Sequence, residues 1–288
     1  METTAATQMK CLELAGGRVN CQRLYELPGF SLRVFSRTAS GTQGGAQQGA
    51  QGGGEVHYIS SCASGRITRL LLADICGSAE TFERLAGAMR KGLLRNINSI
   101  WQNRVVTNMH RQLDAFAQEG GFATASVSTY FAPTGSFSMC NAGNPAPLLY
   151  RAATRQWQVL KGETKQAPAG GKNCEGVYGL EEYRYFHTKL RRDDLVVTYG
   201  NGFSQSKLPD GGYVGQTELL ARLQDTPHSD QYARLTHLIG LIQSQSVGLD
   251  EDNTVVVTHA TGKRVSLRNT LLAPFRLLRG PRDCSQVI

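Results

Sequence analysis

The sequence predicts an α+β fold, a layered sandwich of two antiparallel β-sheets flanked by helix pairs. Strand-like segments come in runs, and helical periodicity is segregated into two pairs of segments instead of alternating with strands as a parallel βαβ repeat would require. A chain of 288 residues with 40% hydrophobic content is long enough for one large core and fits no disordered or fibrous composition.

The first strand signal is Phe30-Ser-Leu-Arg-Val-Phe35, which alternates apolar and polar residues, and a further extended run begins at Val56-His-Tyr-Ile59. Between them, residues 36–54 are almost entirely Gly, Gln, Ala, Ser and Thr. Such a segment buries too little apolar surface to offset the entropy of ordering it, so a flexible loop is expected here, joining two strands of one sheet. Arg66-Ile-Thr-Arg-Leu-Leu-Leu-Ala73 predicts a strand that runs into a turn at Asp74-Ile-Cys-Gly77.

Phe82, Leu85, Ala86, Met89, Leu93, Ile97 and Ile100 then recur at helical spacing. Phe82, Leu85, Met89 and Leu93 form one apolar stripe that should face a sheet. A second helix is expected from Val106, Met109, Leu113 and Phe116, ended by Gly120-Gly121. Strands follow at 122–131, 136–140, 148–151, 157–160, 183–190 and 195–199, helices at 218–223 and 231–243, and a last strand at Thr254-Val-Val-Val-Thr-His259. On this reading residues 1–262 make a single domain and 263–288 a basic C-terminal tail.

The N-terminus has no basic stretch leading into an apolar one, and no run of about 18 apolar residues occurs, so neither a signal peptide nor a membrane span is expected. Cys11, Cys21, Cys62, Cys76, Cys140, Cys174 and Cys284 are odd in number and scattered, never in a C-x-x-C pair. They read as reduced, mostly buried thiols of a cytoplasmic protein, with Cys76 as the candidate reactive one. The formal net charge of +8 owes much to Lys263, Arg264, Arg268, Arg276, Arg279 and Arg282, against a single acid, Asp283. No nucleic-acid partner is expected; the tail is expected to dock on its own domain, with contact to an anionic surface as the weaker use. The six histidines show no metal-ligand spacing, and no Ser-His-Asp arrangement or P-loop is visible.

Chemistry-bearing patterns occur in a fixed order: Gly53-Gly54-Glu55; Gly65-Arg66 through Ala73-Asp74-Ile75-Cys76-Gly77; Asn141-Ala-Gly-Asn-Pro-Ala-Pro-Leu148; Tyr199-Gly-Asn-Gly202; and Glu251-Asp-Asn-Thr254. Together, from about Glu55 to His259, they resemble the SpoIIE/RsbU-like bacterial branch of the PPM-type metal-dependent protein serine/threonine phosphatases. That branch shows Gly-Gly-Asp, Asp-Val-Ser-Gly-His-Gly, Asn-Ala-Gly-His-Pro-Pro-Pro, Thr-Asp-Gly and Asp-Asp-x-Thr in these places. Alone, Asp74 and Asn201 would read as turn caps, and Glu251 with Asp252 as a solvated loop.

The resemblance implies two divalent cations, Mn²⁺ or Mg²⁺, held by carboxylates, a backbone carbonyl and water, which activate a water for attack on a phosphate ester. Carried over, Asp74 is the bridging aspartate and Ile75 supplies the neighbouring carbonyl. Glu55 stands in place of an aspartate with one more methylene. Asn201 replaces an aspartate that would touch both metals, and Glu251 falls on the last ligand with Asp252 beside it. Asp74 and Asn201 would thus be catalytic, and Glu55, Asp74, Ile75, Asn201, Glu251 and Asp252 the metal positions. Ser78 and Asn144 stand where the family has histidines. Two functions follow: dephosphorylation of phosphoserine or phosphothreonine in a partner protein in bacterial signalling, or a pseudophosphatase that binds a regulatory partner with little or no catalysis.

Overall fold

The computed structural model describes residues 3–5, 12–17, 20–38, 54–62, 65–97, 99–117, 122–166, 182–208, 212–224, 230–245, 252–262 and 285–287. Its elements begin with β1 (Thr3–Ala5), β2 (Leu12–Gly17), β3 (Cys21–Leu27), β4 (Phe30–Arg37), β5 (Gly54–Cys62) and β6 (Ile67–Cys76). Two helices follow, α1 (Ala79–Arg95) and α2 (Gln102–Ala117). The middle of the chain is β7 (Phe122–Phe131), β8 (Ser136–Ala142), β9 (Leu148–Arg151), β10 (Gln156–Val159), β11 (Glu163–Gln166), β12 (Glu182–Lys189) and β13 (Leu195–Tyr199). The short α3 (Asn201–Ser204), then α4 (Gln216–Gln224), α5 (Gln231–Gln245), β14 (Asn253–Ala260) and β15 (Ser285–Val287) complete it.

The strands form two sheets, ordered β1-β3-β4-β14-β13-β9-β10 and β11-β12-β8-β7-β6-β5-β2-β15. Pairing is antiparallel except at two edges, where β1 lies parallel to β3 and β15 parallel to β2. Three apolar cores order the layers. Phe82, Leu85, Met89 and Leu93 of α1 pack with Val105 and Met109 of α2 on Leu71, Ala73 and Ile75 of β6. Leu32, Val34, Ile59, Leu70, Met139, Val196 and Val256 fill the space between the sheets. Leu219, Leu223, Leu235 and Ile239 cover Val197, Val255 and Val257 on the far side. The result is helix pair, sheet, sheet, helix pair, and the expected α1 stripe faces its sheet.

Local chemistry explains the boundaries. Ser78 caps α1, its Oγ accepting from the Thr81 amide at 3.2 Å, and Asn96 ends the helix through its own amide on Leu93 and Leu94 carbonyls. The periodic stripe therefore outruns the helix: Ile97 is buried just beyond it, whereas Ile100 is 46% exposed.

Three expectations need correction. The segment 36–54 does not join two strands of one sheet. Ser36 and Arg37 belong to β4, which pairs with β14 in the seven-stranded sheet, and Gly54 opens β5, which pairs with β6 in the eight-stranded one. Alternation reveals that a segment is extended but not which neighbour its amides find; the expected flexibility falls on residues 39–53, outside those described. Asp74, Ile75 and Cys76 are not a turn but the end of β6, pairing with Thr124, Ala123 and Phe122. Finally, β1, β2, β3, β11, β15 and the short α3 have no counterpart among the expected elements; Gly16-Gly17 in β2 and the polar Glu163-Thr-Lys-Gln166 in β11, for example, lack the apolar alternation that announces a strand.

Cys76 is exposed, Cys21 half-buried and Cys140 buried. Of the tail, 263–284 and 288 lie outside the described residues, and only 285–287 are seen, as an edge strand. No helix among the described residues is long and apolar enough to cross a membrane.

Candidate functional site

The strand order places the ends of β5, β6 and β7 opposite the ends of β13 and β14. Along one row of the eight-stranded sheet, Glu55 pairs with Asp74, and Asp74 with Thr124. Residues paired directly across strands share a face, so these three side chains lie side by side, on the face toward the other sheet. From the seven-stranded sheet come Gly200, whose amide donates to the Thr254 carbonyl at 3.1 Å, then Asn201 at the start of α3, and Asp252 just before β14. The Asp252 carboxylate accepts the Glu55 backbone amide at 3.1 Å, clamping the two sheets together across 197 residues of sequence. Glu55, Asp74 and Asp252 thus come from facing strand ends, and Asn201 reaches Thr124, the neighbour of Asp74. Glu251 lies outside the described residues.

Glu55 is the unusual member. Its side chain is 1% exposed, and neither carboxyl oxygen has a hydrogen-bond partner among the described residues. Burial holds its carboxyl well above the usual carboxylate range; Thr254 alongside pulls the other way without completing a hydrogen bond of ordinary geometry, and the Asp74 and Asp252 charges push it further up. Gly200 makes the room: a Cβ built there would stand 1.8 Å from Glu55 Oε1. With φ near −81° at Gly200, the glycine is required for space and not for its backbone angle.

The two positions that depart furthest from the family pattern are joined. Asn144 donates to the Leu72 carbonyl at 3.3 Å and to Ser126 Oγ at 3.1 Å, and its Oδ1 accepts from Thr124 Oγ1 at 2.9 Å. The Asn141 side chain holds this bend, accepting the Asn144 amide and donating to the Asn144 and Pro145 carbonyls. Asn201 turns its amide nitrogen toward the Gly143 carbonyl and Thr124 Oγ1, both at 3.5 Å. A carbonyl can only accept, so the group that Asn201 presents inward is a donor. Thr124 and Gly200 escaped sequence reasoning: the importance of Thr124 comes from register beside Asp74, and that of Gly200 from a carboxyl group 145 residues earlier.

Among the described residues no three His, Cys, Asp or Glu side chains stand together as a metal-binding group. Burial holds the Glu55 carboxyl well above the usual carboxylate range, and the Asn201 amide nitrogen is the atom that faces Thr124 Oγ1 and the Gly143 carbonyl. The half-buried Asp74 is the most accessible acid of the set. Ile75 has its side chain in the core beneath α1, and Ser78 serves as a helix cap.

The sequence profile of the Stage II sporulation protein E (SpoIIE) family matches residues 64–261, more than two thirds of the chain. The chain belongs to the SpoIIE family. Among curated proteins there is no match. Solved structures agree on the fold. RsbX in complex with magnesium superposes with a TM-score of 0.55 at 12% identity, over 83% of this chain and 99% of RsbX. The phosphatase domain of SpoIIE from Bacillus subtilis gives 0.51 at 14%, over 81% and 94%. The RsbU and RsbW domains of a Mycobacterium tuberculosis protein give 0.55 at 17%, over 89% and 70%. The α+β double-sheet sandwich of this chain is thus the PP2C-type phosphatase fold.

Proposed function

We propose that this SpoIIE-family chain is a pseudophosphatase of bacterial signalling, a cytoplasmic module that binds a regulatory protein and hydrolyses little or no phosphate ester. The observation that carries the reading is the Glu55 carboxyl, buried against Gly200 without a hydrogen-bond partner among the described residues, where the family pattern places a metal-binding aspartate. The longer side chain folds its carboxyl against the Gly200 backbone, and Asn201 beside it supplies a neutral amide where the family has a charged aspartate, whereas a hard dication prefers charged oxygen donors. Asn201 supports the same reading, since its amide carries no negative charge where the family has an aspartate and its nitrogen is turned to Thr124 and the Gly143 carbonyl. A neighbouring fold that joins RsbU and RsbW domains in one protein favours a protein partner over a small molecule.

One observation favours the second reading, a Mn²⁺- or Mg²⁺-dependent phosphatase acting on phosphoserine or phosphothreonine. Asp74 and Asp252 both act electrostatically on Glu55, and its two carboxyl oxygens, unpartnered among the described residues, are what a cation would satisfy. Metal bound there would supply an activated water; Glu55, Asp74 and Asp252 would be the residues to hold it.

Titration with Mn²⁺ by calorimetry, paired with hydrolysis of a chromogenic phosphate ester, separates the two. We expect no saturable heat and no turnover. Asn201→Asp should lower the melting temperature and gain no Mn²⁺ affinity, because a carboxylate there meets the Gly143 carbonyl in place of a donor contact. Saturable Mn²⁺ binding by the unmodified chain, with turnover abolished in Asp74→Ala, would establish the enzyme instead.

A further inference from the structure

The turn between α1 and α2, described throughout apart from Asn98, holds two large apolar side chains in solvent. Ile100 is 46% exposed and Trp101 66%, whereas Ile97 just before them is buried. Polar contacts on both sides fix this arrangement. Arg69 of β6 donates through Nη1 to the Ile97 carbonyl at 2.8 Å, and the Ser99 amide donates to the Asn96 carbonyl at 2.9 Å. Beyond the turn, Gln102 at the start of α2 donates to the Val127 carbonyl and accepts from Thr129 Oγ1, both at 2.6 Å. With Ile97 and Gln102 tied to the sheet, the exposure of Ile100 and Trp101 belongs to a built corner of the fold. The corner is also basic. No Asp or Glu occurs from Arg84 to Leu113. Lys91, Arg95 and Arg104 are exposed, and none has an ion-pair partner among the described residues. Arg104 lies in the first turn of α2, which has no acid; a cation there opposes the helix dipole, so it does not serve α2 itself.

We propose that the α1–α2 turn docks the protein on an anionic lipid membrane, with Ile100 and Trp101 entering the headgroup boundary and Lys91, Arg95 and Arg104 meeting the lipid anions. A tryptophan joins an apolar ring to an N–H donor and settles where hydrocarbon meets water. Two apolar side chains are too little for the centre of a protein interface, which buries roughly 800 Å² on each partner. A lipid surface asks for less. Each Lys or Arg near an anionic leaflet raises affinity roughly fivefold, and a few apolar side chains added to such a cluster give reversible docking. Charge also argues against the occupants the chain itself could supply. A second copy carries a net charge of +8, and the segment holding Lys263, Arg264, Arg268, Arg276, Arg279 and Arg282 is of the same sign as the turn. The turn stands apart from the strand-end site, since Arg69 and Asp74 lie roughly 17 Å apart along β6, and its role holds whether or not that site hydrolyses anything.

The test uses the full chain and its own fluorescence. The sequence has two tryptophans, and Trp157 is buried at 4% exposure, so a change in emission on binding reports on Trp101. Phosphatidylcholine vesicles with about 30% phosphatidylserine should shift the emission to the blue, shield it from acrylamide and carry the protein down on sedimentation. Vesicles of phosphatidylcholine alone should do none of this, and added salt should weaken the binding. By sedimentation, Arg95→Gln and Arg104→Gln should each lower vesicle affinity roughly fivefold, and Trp101→Gln roughly tenfold or more. All three side chains are exposed, so an unchanged melting curve verifies that each variant is folded. Absence of binding to the anionic vesicles overturns the proposal, as does binding indifferent to Trp101→Gln or to both arginine substitutions. Emission of the free protein that acrylamide cannot quench would mean that another part of the chain covers Trp101. A concentration-dependent dimer dispersed by Trp101→Gln would give the turn to a second copy, and the same blue shift with poly-glutamate in place of vesicles would give it to an acidic protein. Each of these results also overturns it.

Discussion

Gly200→Ala is expected to lower the unfolding free energy by roughly 3 kcal/mol, at the upper end of what overpacking a core costs. The added Cβ would lie 1.8 Å from Glu55 Oε1 and 2.6 Å from its Cδ. The Gly200 backbone is held by Thr254 of β14 and the Glu55 backbone by its β5 pairing and the Asp252 clamp, so relief requires the buried Glu55 carboxyl to rotate away within a packed site. The cause is tested by a double-mutant cycle. In a Glu55→Ala background the obstructing carboxyl is gone, and Gly200→Ala should then cost less than about 1 kcal/mol. If the two substitutions are additive in denaturant unfolding, Glu55 does not occupy the space beside Gly200.

The second large effect is on pH dependence, and it sets two neighbours on β5 against each other. His57 is 4% exposed, its ring lying over Gly16 of β2, where a Cβ would approach Nε2 to 2.4 Å. Burial lowers its pKa from 6.5 to about 4, with the Arg23 charge acting in the same direction. The unfolded chain therefore binds a proton between these values that the folded chain refuses, so stability from His57 is complete above pH 6.5 and is lost as pH falls toward 4. Over that interval the loss is roughly 3 kcal/mol.

Glu55 has the opposite sign. Its folded pKa lies well above 4.5, so its contribution is complete below 4.5 and is lost as pH rises through the raised value. The unmodified protein should consequently show a shallow profile in which the two partly cancel. Glu55→Gln should expose the His57 slope, with stability rising by roughly 3 kcal/mol from pH 4 to 6.5. His57→Gln should expose the Glu55 slope, with stability falling as pH rises above 4.5. Parallel profiles for the two variants, measured by chemical unfolding at fixed ionic strength, would refute both assignments.

The two groups also show what kind of fact a sequence can hold. The α1 stripe at Phe82, Leu85, Met89 and Leu93 could be read directly, because a helix repeats every 3.6 residues and its burial is a local, periodic property. The strands from β7 to β9, and β13 and β14, could be read for the same reason, as could the order of family motifs that brought Glu55, Asp74, Asn201 and Asp252 under suspicion together. Sheet membership could not. The chain crosses from β4 in one sheet to β5 in the other through residues that carry no pairing signal, and β2, with its two glycines, bears too little apolar alternation to announce itself.

By itself, then, the sequence determined the fold class and the α1 stripe, and its motif order named Glu55, Asp74, Asn201 and Asp252 but not Thr124 or Gly200. Tertiary structure alone decided their state. A carboxyl group ionises or stays neutral according to what surrounds it, and the surroundings of Glu55 are assembled from Gly200, Thr254, Asp252 and Asp74, which approach it from other strands and from the facing sheet. Asn201 turns its nitrogen inward for the same kind of reason, because the carbonyl of Gly143 arrives there from a distant bend. Periodicity and motif order are encoded along the chain, whereas desolvation and the direction of a hydrogen bond exist only once distant segments have met.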